Sequence, residues 1–229
     1  MTLFFRWFRK RSSASVQQVP AGPPPRQACR PAHRPQGRPN GAPAYVLVVD
    51  ESGATGSSFR MAGGRMTSRM AAIQSAARGY LQRLRDANPG QRVSIVGFSD
   101  AAHLYHRLAP VGPAFGGLCQ ALGALHPQST TNLCAGLALA LDQLARGRVR
   151  LGHVVIITDG GANVGQGRLP GLLNRARAAH VRIFTIGVGN NADPDYDRRL
   201  LVKIASDTRA RFASADSFGQ LCQALSRVA

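Results

Sequence analysis

Two hydrophobic periods take turns along this chain. Short continuous runs rich in Val, Ile and Leu occupy residues 45–49, 92–98, 153–158 and 182–187. Apolar runs without alternation are what strands covered on both faces require. Between them, apolar residues recur at helical spacing. Met70, Ile73, Ala77, Leu81 and Leu84 form one stripe of a helix predicted over residues 67–87, which Asn88-Pro89-Gly90 stops. The same period predicts helices over 115–125, over 133–145 with Leu137, Leu141 and Leu144 inward, and over 169–179, 196–207 and 217–228. Residues 102–108 are more polar and read as an edge strand, 210–213 as a short strand, and 53–64 as a Gly/Ser-rich loop. This alternation predicts an α/β fold: a doubly wound, mostly parallel central sheet with helices on both faces, Rossmann-like, with one antiparallel edge strand.

Before residue 44 the pattern stops. Residues 12–43 carry eight prolines with Gly, Gln and Arg between them. There is too little apolar surface here to offset chain entropy, so an extended spacer is expected. The chain thus divides into a disordered basic Pro/Arg-rich tail, 1–43, and one domain, 44–229.

Charge follows the same division. The net charge is +18, yet no acid precedes Asp50, while eight of the 29 bases do. Such a tail favours anionic partners: an acidic protein, lipid headgroups or nucleic acid. Its first residues join Phe4, Phe5, Trp7 and Phe8 to Arg6, Arg9, Lys10 and Arg11, a mixture suited to an anionic membrane surface. No apolar run reaches transmembrane length, and the order of a secretory signal is missing. None of the four cysteines forms a C-x-x-C pair, and three fall in apolar helical patterns and read as small core hydrophobes in a reducing compartment. The expectation is a cytoplasmic protein, peripheral at the inner face of the membrane.

The candidate chemistry lies where two strands end. The first closes in Asp50-Glu51-Ser52, the second in Thr158-Asp159-Gly160-Gly161, and Ser129-Thr130-Thr131-Asn132 opens a helix between them. Open α/β sheets bind ligands at the carboxyl ends of their strands. An oxygen-only set of two acids and hydroxyls suits a hard divalent cation such as Mg²⁺ or Mn²⁺. Alternation along the strand points Glu51 away from Asp50.

These motifs resemble those of the von Willebrand factor type A domain, bacterial type. Asp50 and Ser52 fit the D-x-S-x-S pattern after the first strand, with Ala54 where the last serine belongs. Thr131, with Asn132, Gly136 and Leu137, fits the threonine motif at a helix start. Asp159, between Thr158 and Gly160, fits the T-D-G turn. The resemblance implies a variant metal-ion-dependent adhesion site, MIDAS, with Asp50, Ser52, Thr131 and Asp159 on the metal. Thr55, Ser57 or Ser58 would be free to replace the missing serine hydroxyl.

The function so implied is a non-enzymatic adaptor or scaffold. A partner protein's Asp or Glu would complete the metal shell, and no small-molecule substrate is expected. Bacterial relatives of this kind often act as adaptors, some beside AAA+ ATPases. Three other readings stay open. Asp50 and Asp159 could simply cap loops and helix ends. The basic tail could bind nucleic acid, with the domain as scaffold. A metal-dependent hydrolase is the third, though Glu51 is the sole glutamate and no G-x-S-x-G or H-E-x-x-H motif occurs. Asp193, Asp195 and Asp197 read as an acidic turn that caps the following helix.

Overall fold

The structure is a computed structural model that describes residues 43–228 except 62–63, 129, 162–165 and 190–195. The described residues belong to one compact unit, Pro39–Ala229. The expectations for the tail before Pro43, for Ser129, and for Asp193 and Asp195 lie outside them.

In chain order the strands are β1 Ala44–Asp50, β2 Ser58–Arg60, β3 Met66–Ser68, β4 Arg92–Phe98, β5 Ala102–Pro110, β6 Gly152–Thr158, β7 Arg182–Val188 and β8 Phe212–Ala215. The helices are α1 Arg69–Ala87, α2 Val111–Ala124, α3 Leu133–Arg146, α4 Leu169–Ala178, α5 Arg198–Asp207 and α6 Phe218–Ser226. Six strands form one sheet in the order β5-β4-β1-β6-β7-β8. All neighbours are parallel except β4 and β5. This is the doubly wound sheet with a single antiparallel edge strand that the apolar pattern predicts.

The core forms two layers because strand side chains alternate. Tyr45, Leu47 and Val49 of β1 pack with α1, α2 and α6. Val46 and Val48 face the other way, onto α3, α4 and α5. Every residue of β1 and of β6 is buried, which explains why both read as unbroken apolar runs. The order of strands also creates a switch point. From β1 the chain crosses to β4 on one side, whereas β6, β7 and β8 extend the sheet on the other. The carboxyl ends of β1 and β6, carrying Asp50 and Thr158-Asp159, flank that crevice.

Some boundaries differ from the sequence expectation, each for a physical reason. The stretch read as a loop over 53–64 contains a 3-10 turn, Gly53–Gly56, and then β2, which pairs antiparallel with β3. Phe59 anchors this hairpin in the core at 3% exposure, and its polar neighbours hide the strand signal. The first residues of the predicted α1 are therefore strand, and the Ser68 hydroxyl caps the helix by accepting from Ala71 N at 3.1 Å. Helix α2 begins at Val111, four residues early, since Pro113 in the first turn sacrifices no helical bond. Asp197 caps α5, accepting from Leu200 N at 2.9 Å, so that helix starts after Tyr196. Strand β8 starts two residues late, after Arg209 turns the chain at φ 57.

At the opposite end of β6, His153 is sandwiched between Tyr45 and Phe184, with ring centroids 5.2 and 5.3 Å away. It is 7% exposed, and among the described residues neither ring nitrogen has a hydrogen-bond partner. Burial, helped by Arg182, pushes its pKa down to about 4. The unfolded chain therefore binds a proton near pH 6.5 that the folded chain refuses until about pH 4. Stability is present in full above pH 6.5 and falls as pH drops toward 4. We expect this one group to remove about 2–3 kcal/mol between pH 7 and pH 4.5. Urea unfolding of wild type and His153→Phe at both pH values checks it: the variant should lose correspondingly less.

Candidate functional site

Asp50 and Asp159 are both fully buried, and Ser52 and Thr131 are 3% exposed each. The fold brings all four together at the switch point. Ser52 N–H donates to Asp50 Oδ1 at 2.8 Å, and Ser52 Oγ lies 3.4 Å from Asp159 Oδ1. The clearest measure of convergence is Gly160. A Cβ placed there would sit 3.1 Å from Thr131 Oγ1, 3.3 Å from Ser52 Oγ and 3.6 Å from Asp50 Oδ2. Only a residue without a side chain leaves that point open to the three oxygens.

Each donor is held by its neighbours. Thr158 Oγ1 donates a short hydrogen bond to Asp50 Oδ2, so the residue before Asp159 orients the acid on the adjacent strand. Thr131 is presented by the segment between α2 and α3, and that segment is tied down at several points. Asn132 caps α3 by accepting from Ala135 N at 3.1 Å, its amide donates to Asp100 O at 3.0 Å, and its N–H reaches Ser99 O. Ser99 Oγ also bonds Gln128 Oε1 at 2.8 Å.

Glu51 adds a second tie from β1. It turns away from the four oxygens, as strand alternation predicts, and is fully buried. Its Oε1 accepts from Tyr105 OH at 2.7 Å and from His126 N at 3.3 Å, while its carbonyl accepts from Gln128 N. Burial, with Glu51 beside it, pushes the Tyr105 phenol upward, which keeps it a donor. Glu51 thus supplies no oxygen to the site. It fastens the segment that carries Thr131 to the strand that carries Asp50.

Ala54 offers no hydroxyl, and the three neighbours that could replace it are placed differently. Thr55, fully buried, spends its hydroxyl on Ser52 O at 2.7 Å, and Ser57 and Ser58 are exposed. The 3-10 turn thus holds the Thr55 hydroxyl against Ser52 O.

One residue of the site is not in the sequence reading. Arg69, the first residue of α1, is 8% exposed, and its Nη1 lies 3.5 Å from Asp159 Oδ2. The stripe through Ile73 and Leu84 continues back to it, and a cation on the buried stripe of a helix is the signal that could have found it. Burial raises the pKa of Asp50 while Thr158 opposes the shift. Burial first and then Asp50 push Asp159 up to about 7 against the pull of Arg69. Among the described residues no trio of His, Cys, Asp or Glu gathers. What gathers is two carboxylates with two hydroxyls, a set that fits a hard divalent ion better than zinc.

Fold and rim together define a Rossmann-like α/β domain with an oxygen-lined crevice at its switch point. The chain belongs to the von Willebrand factor type A domain family, whose model matches residues 46–227. Among solved structures it is similar to a von Willebrand factor type A protein from Catenulispora acidiphila, with a TM-score of 0.66, 17% identity, and coverage of 81% of this chain and 41% of that one. It is also similar to the vWF domain of the type V pili tip protein Mfa5 from Porphyromonas gingivalis, with a TM-score of 0.61, 15% identity, and coverage of 82% and 94%. Among curated proteins, the uncharacterized protein YfbK of Escherichia coli (strain K12) is 29% identical over 105 residues, 44% of this chain and 18% of that protein. The match thus spans under a fifth of that protein's length.

The tie through Glu51 depends on Gly97 of β4. A Cβ there would fall 2.0 Å from Glu51 Oε2 and 2.7 Å from the Tyr105 ring. Gly97→Ala should destabilise the domain by about 1–3 kcal/mol, as overpacking of a filled core does. In a Glu51→Ala background the same change should cost clearly less. Equal cost in both backgrounds, read by urea unfolding, would refute the packing described.

Proposed function

We propose that this domain is a non-enzymatic protein-binding module that takes a partner's carboxylate through Mg²⁺ or Mn²⁺ at a variant MIDAS. Asp50, Ser52, Thr131 and Asp159 would hold the ion, directly or through water. The observation that carries the reading is the approach of three oxygens from two separate segments, Asp50 and Ser52 at the end of β1 and Thr131 before α3, to one point above Gly160. Two carboxylates cancel the charge of a divalent ion, and neutral hydroxyls leave it short of the roughly six oxygens it takes. Such an ion stays attractive to one more anionic oxygen, which an Asp or Glu of another protein can offer.

The surroundings suit an acidic partner. A cavity of about 510 Å³, lined by Phe59, Arg60, Met66, Arg69 and Asp216 among others, adjoins the site through Arg69. Met66 is 56% exposed, giving that groove an apolar contact beside its cations. The basic residues before Asp50 would add attraction to an anionic surface. The Porphyromonas gingivalis relative is the vWF domain of a pilus tip protein, and a like architecture here supports binding over turnover. The absence of a spanning helix among the described residues leaves the setting open, and a cytoplasmic one remains our proposal.

Mn²⁺ titration of the full chain, followed by calorimetry and thermal unfolding, tests the reading. At a hundredfold excess over Kd the ion should stabilise the wild type by about 2.7 kcal/mol, or about 5–10 °C in a domain of this size. Asp50→Ala should abolish the shift. Gly160→Ala should weaken it at least tenfold in affinity, about 1.4 kcal/mol, because its methyl group fills the open point. A wild type that takes up no Mn²⁺ at millimolar concentration, or a Gly160→Ala variant of unchanged affinity, would sink the proposal.

A further inference from the structure

At the end of the sheet away from the oxygen rim, three helices return to three strands through the same turn. Helices α3, α4 and α5 are followed by Arg148, His180 and Arg209 at φ 48, 54 and 57. In each turn that residue and the next donate back into the helix. Arg148 N reaches Ala145 O and Val149 N reaches Leu144 O; His180 N reaches Arg177 O and Val181 N reaches Ala176 O; Arg209 N reaches Ser206 O and Ala210 N reaches Ala205 O, all within 3.1 Å. Glycine is the usual residue at this left-handed position, because a Cβ is strained there. Here all three places carry a long basic side chain, at one level of the fold.

These side chains meet others of the same sign. A cavity of about 400 Å³ opens beside the start of β7, lined by Arg177, His180, Arg182 and Arg209 among others. The acid in its wall, Asp207, is engaged by Lys203 Nζ at 2.9 Å. Arg177 bonds the neutral Asn174, so its charge is not cancelled. Among the described residues, Arg182 and Arg209 pair with no acid. The row of cations continues past the cavity, to Arg148 and Arg150 before β6 and to Arg211 before β8, all exposed. Strands β6, β7 and β8 are neighbours in the sheet, so the row follows one edge. It lies about 20 Å from Asp159, the length of the seven-residue strand β6.

Guanidiniums gathered without acids attract an anion, and their forked N–H groups fit a phosphate. A row longer than the cavity suits an anion that repeats. The exposed large apolar side chains among the described residues, Met66 and Val202, do not line the cavity, so it offers nothing to enter a lipid layer. No Phe, Tyr or Trp lines it to stack on a base, so contact would be with the backbone and indifferent to sequence. We propose that this amino edge of the sheet is a second binding site, which takes the phosphate backbone of a nucleic-acid strand. The proposal is independent of the divalent-ion reading of the opposite rim.

The test is fluorescence anisotropy of a labelled oligo-dT of about 20 nucleotides with the full chain, in chelator, across about 50–200 mM salt. Arg182→Gln/Arg209→Gln should bind about tenfold more weakly, and the slope of log affinity against log salt should shrink by about 1.4, since each lost single-strand phosphate contact removes about 0.7. Arg65→Gln/Arg78→Gln makes the same change of charge on exposed arginines away from this edge and should stay within about twofold of wild type. The residues before Pro43 are the same in every protein and contribute alike. Arg209→Gly separates binding from folding: glycine suits φ 57, so the thermal midpoint should not fall, yet affinity for the oligonucleotide should. A lowered midpoint with unchanged affinity would make Arg209 a helix cap alone and overturn the proposal. So would a wild type that does not bind the oligonucleotide, or equal weakening by the two double variants, which is bulk charge. Phosphatidylserine vesicles or polyglutamate bound as tightly at the same salt, with the same loss in Arg182→Gln/Arg209→Gln, would overturn the assignment to nucleic acid.

Discussion

Two carboxylates buried side by side set the terms for the rest of the rim. Asp50 and Asp159 have no exposed surface, and removing an ion from water costs several kcal/mol in a real protein. The surrounding groups offset part of that cost. Ser52 N–H and Thr158 Oγ1 donate to Asp50, and Arg69 faces Asp159. The compensation is incomplete, since both acids stay shifted upward and Asp159 reaches about 7. Two carboxylates and two hydroxyls beside a single guanidinium leave the rim short of positive charge, which is what the proposed ion would supply.

The sheet is what makes such a deficit tolerable. A fully apolar strand can end in an acid only if its last residue emerges among polar groups, and the switch point supplies them. Strand β1 delivers Asp50, β6 delivers Thr158 and Asp159, and the N-terminus of α3 delivers Thr131 from a segment far away in sequence. That segment has little apolar surface to anchor it. Polar ties hold it: Glu51 to His126 and Gln128, Ser99 to Gln128, Asn132 to Asp100. Buried networks of this kind are costly when half satisfied and rigid when complete. Here Glu51 Oε2 has no partner among the described residues, so the network is satisfied only in part, yet its ties still hold the segment of Thr131 to β1.

Much of this is legible in the chain itself, and the limits are physical. Strands β1 and β6 announce themselves because burial on both faces forces unbroken Val/Ile runs. Asp50, Ser52, Thr131 and Asp159 announce themselves because an acid or hydroxyl ending an apolar run needs a reason. The direction of Glu51 follows from alternation alone. The hairpin β2–β3 escapes notice because three residues, one of them buried, carry no period. Arg69 escapes because a helix stripe is drawn through its apolar members, and a cation at its end reads as solvent-facing until a partner acid is seen. Thr55 misleads in the opposite sense. Its hydroxyl is at hand in sequence, yet a 3-10 turn directs it to Ser52 O, a local competition that side-chain inventories do not reveal.

Ala54 stands where the first motif of the family carries its last serine. An alanine at 54 withholds a neutral oxygen, so an ion at the rim must rely more on water and on whatever the partner brings. In the proposed reading this does not prevent ligation, because the two acids and the hydroxyls of Ser52 and Thr131 remain. It would lower the affinity for the free ion, and an incoming carboxylate would supply the missing oxygen. In that reading the rim would complete its shell on contact with an acidic partner. Such selectivity comes from withheld stabilisation in the free state, not from added contacts in the bound one.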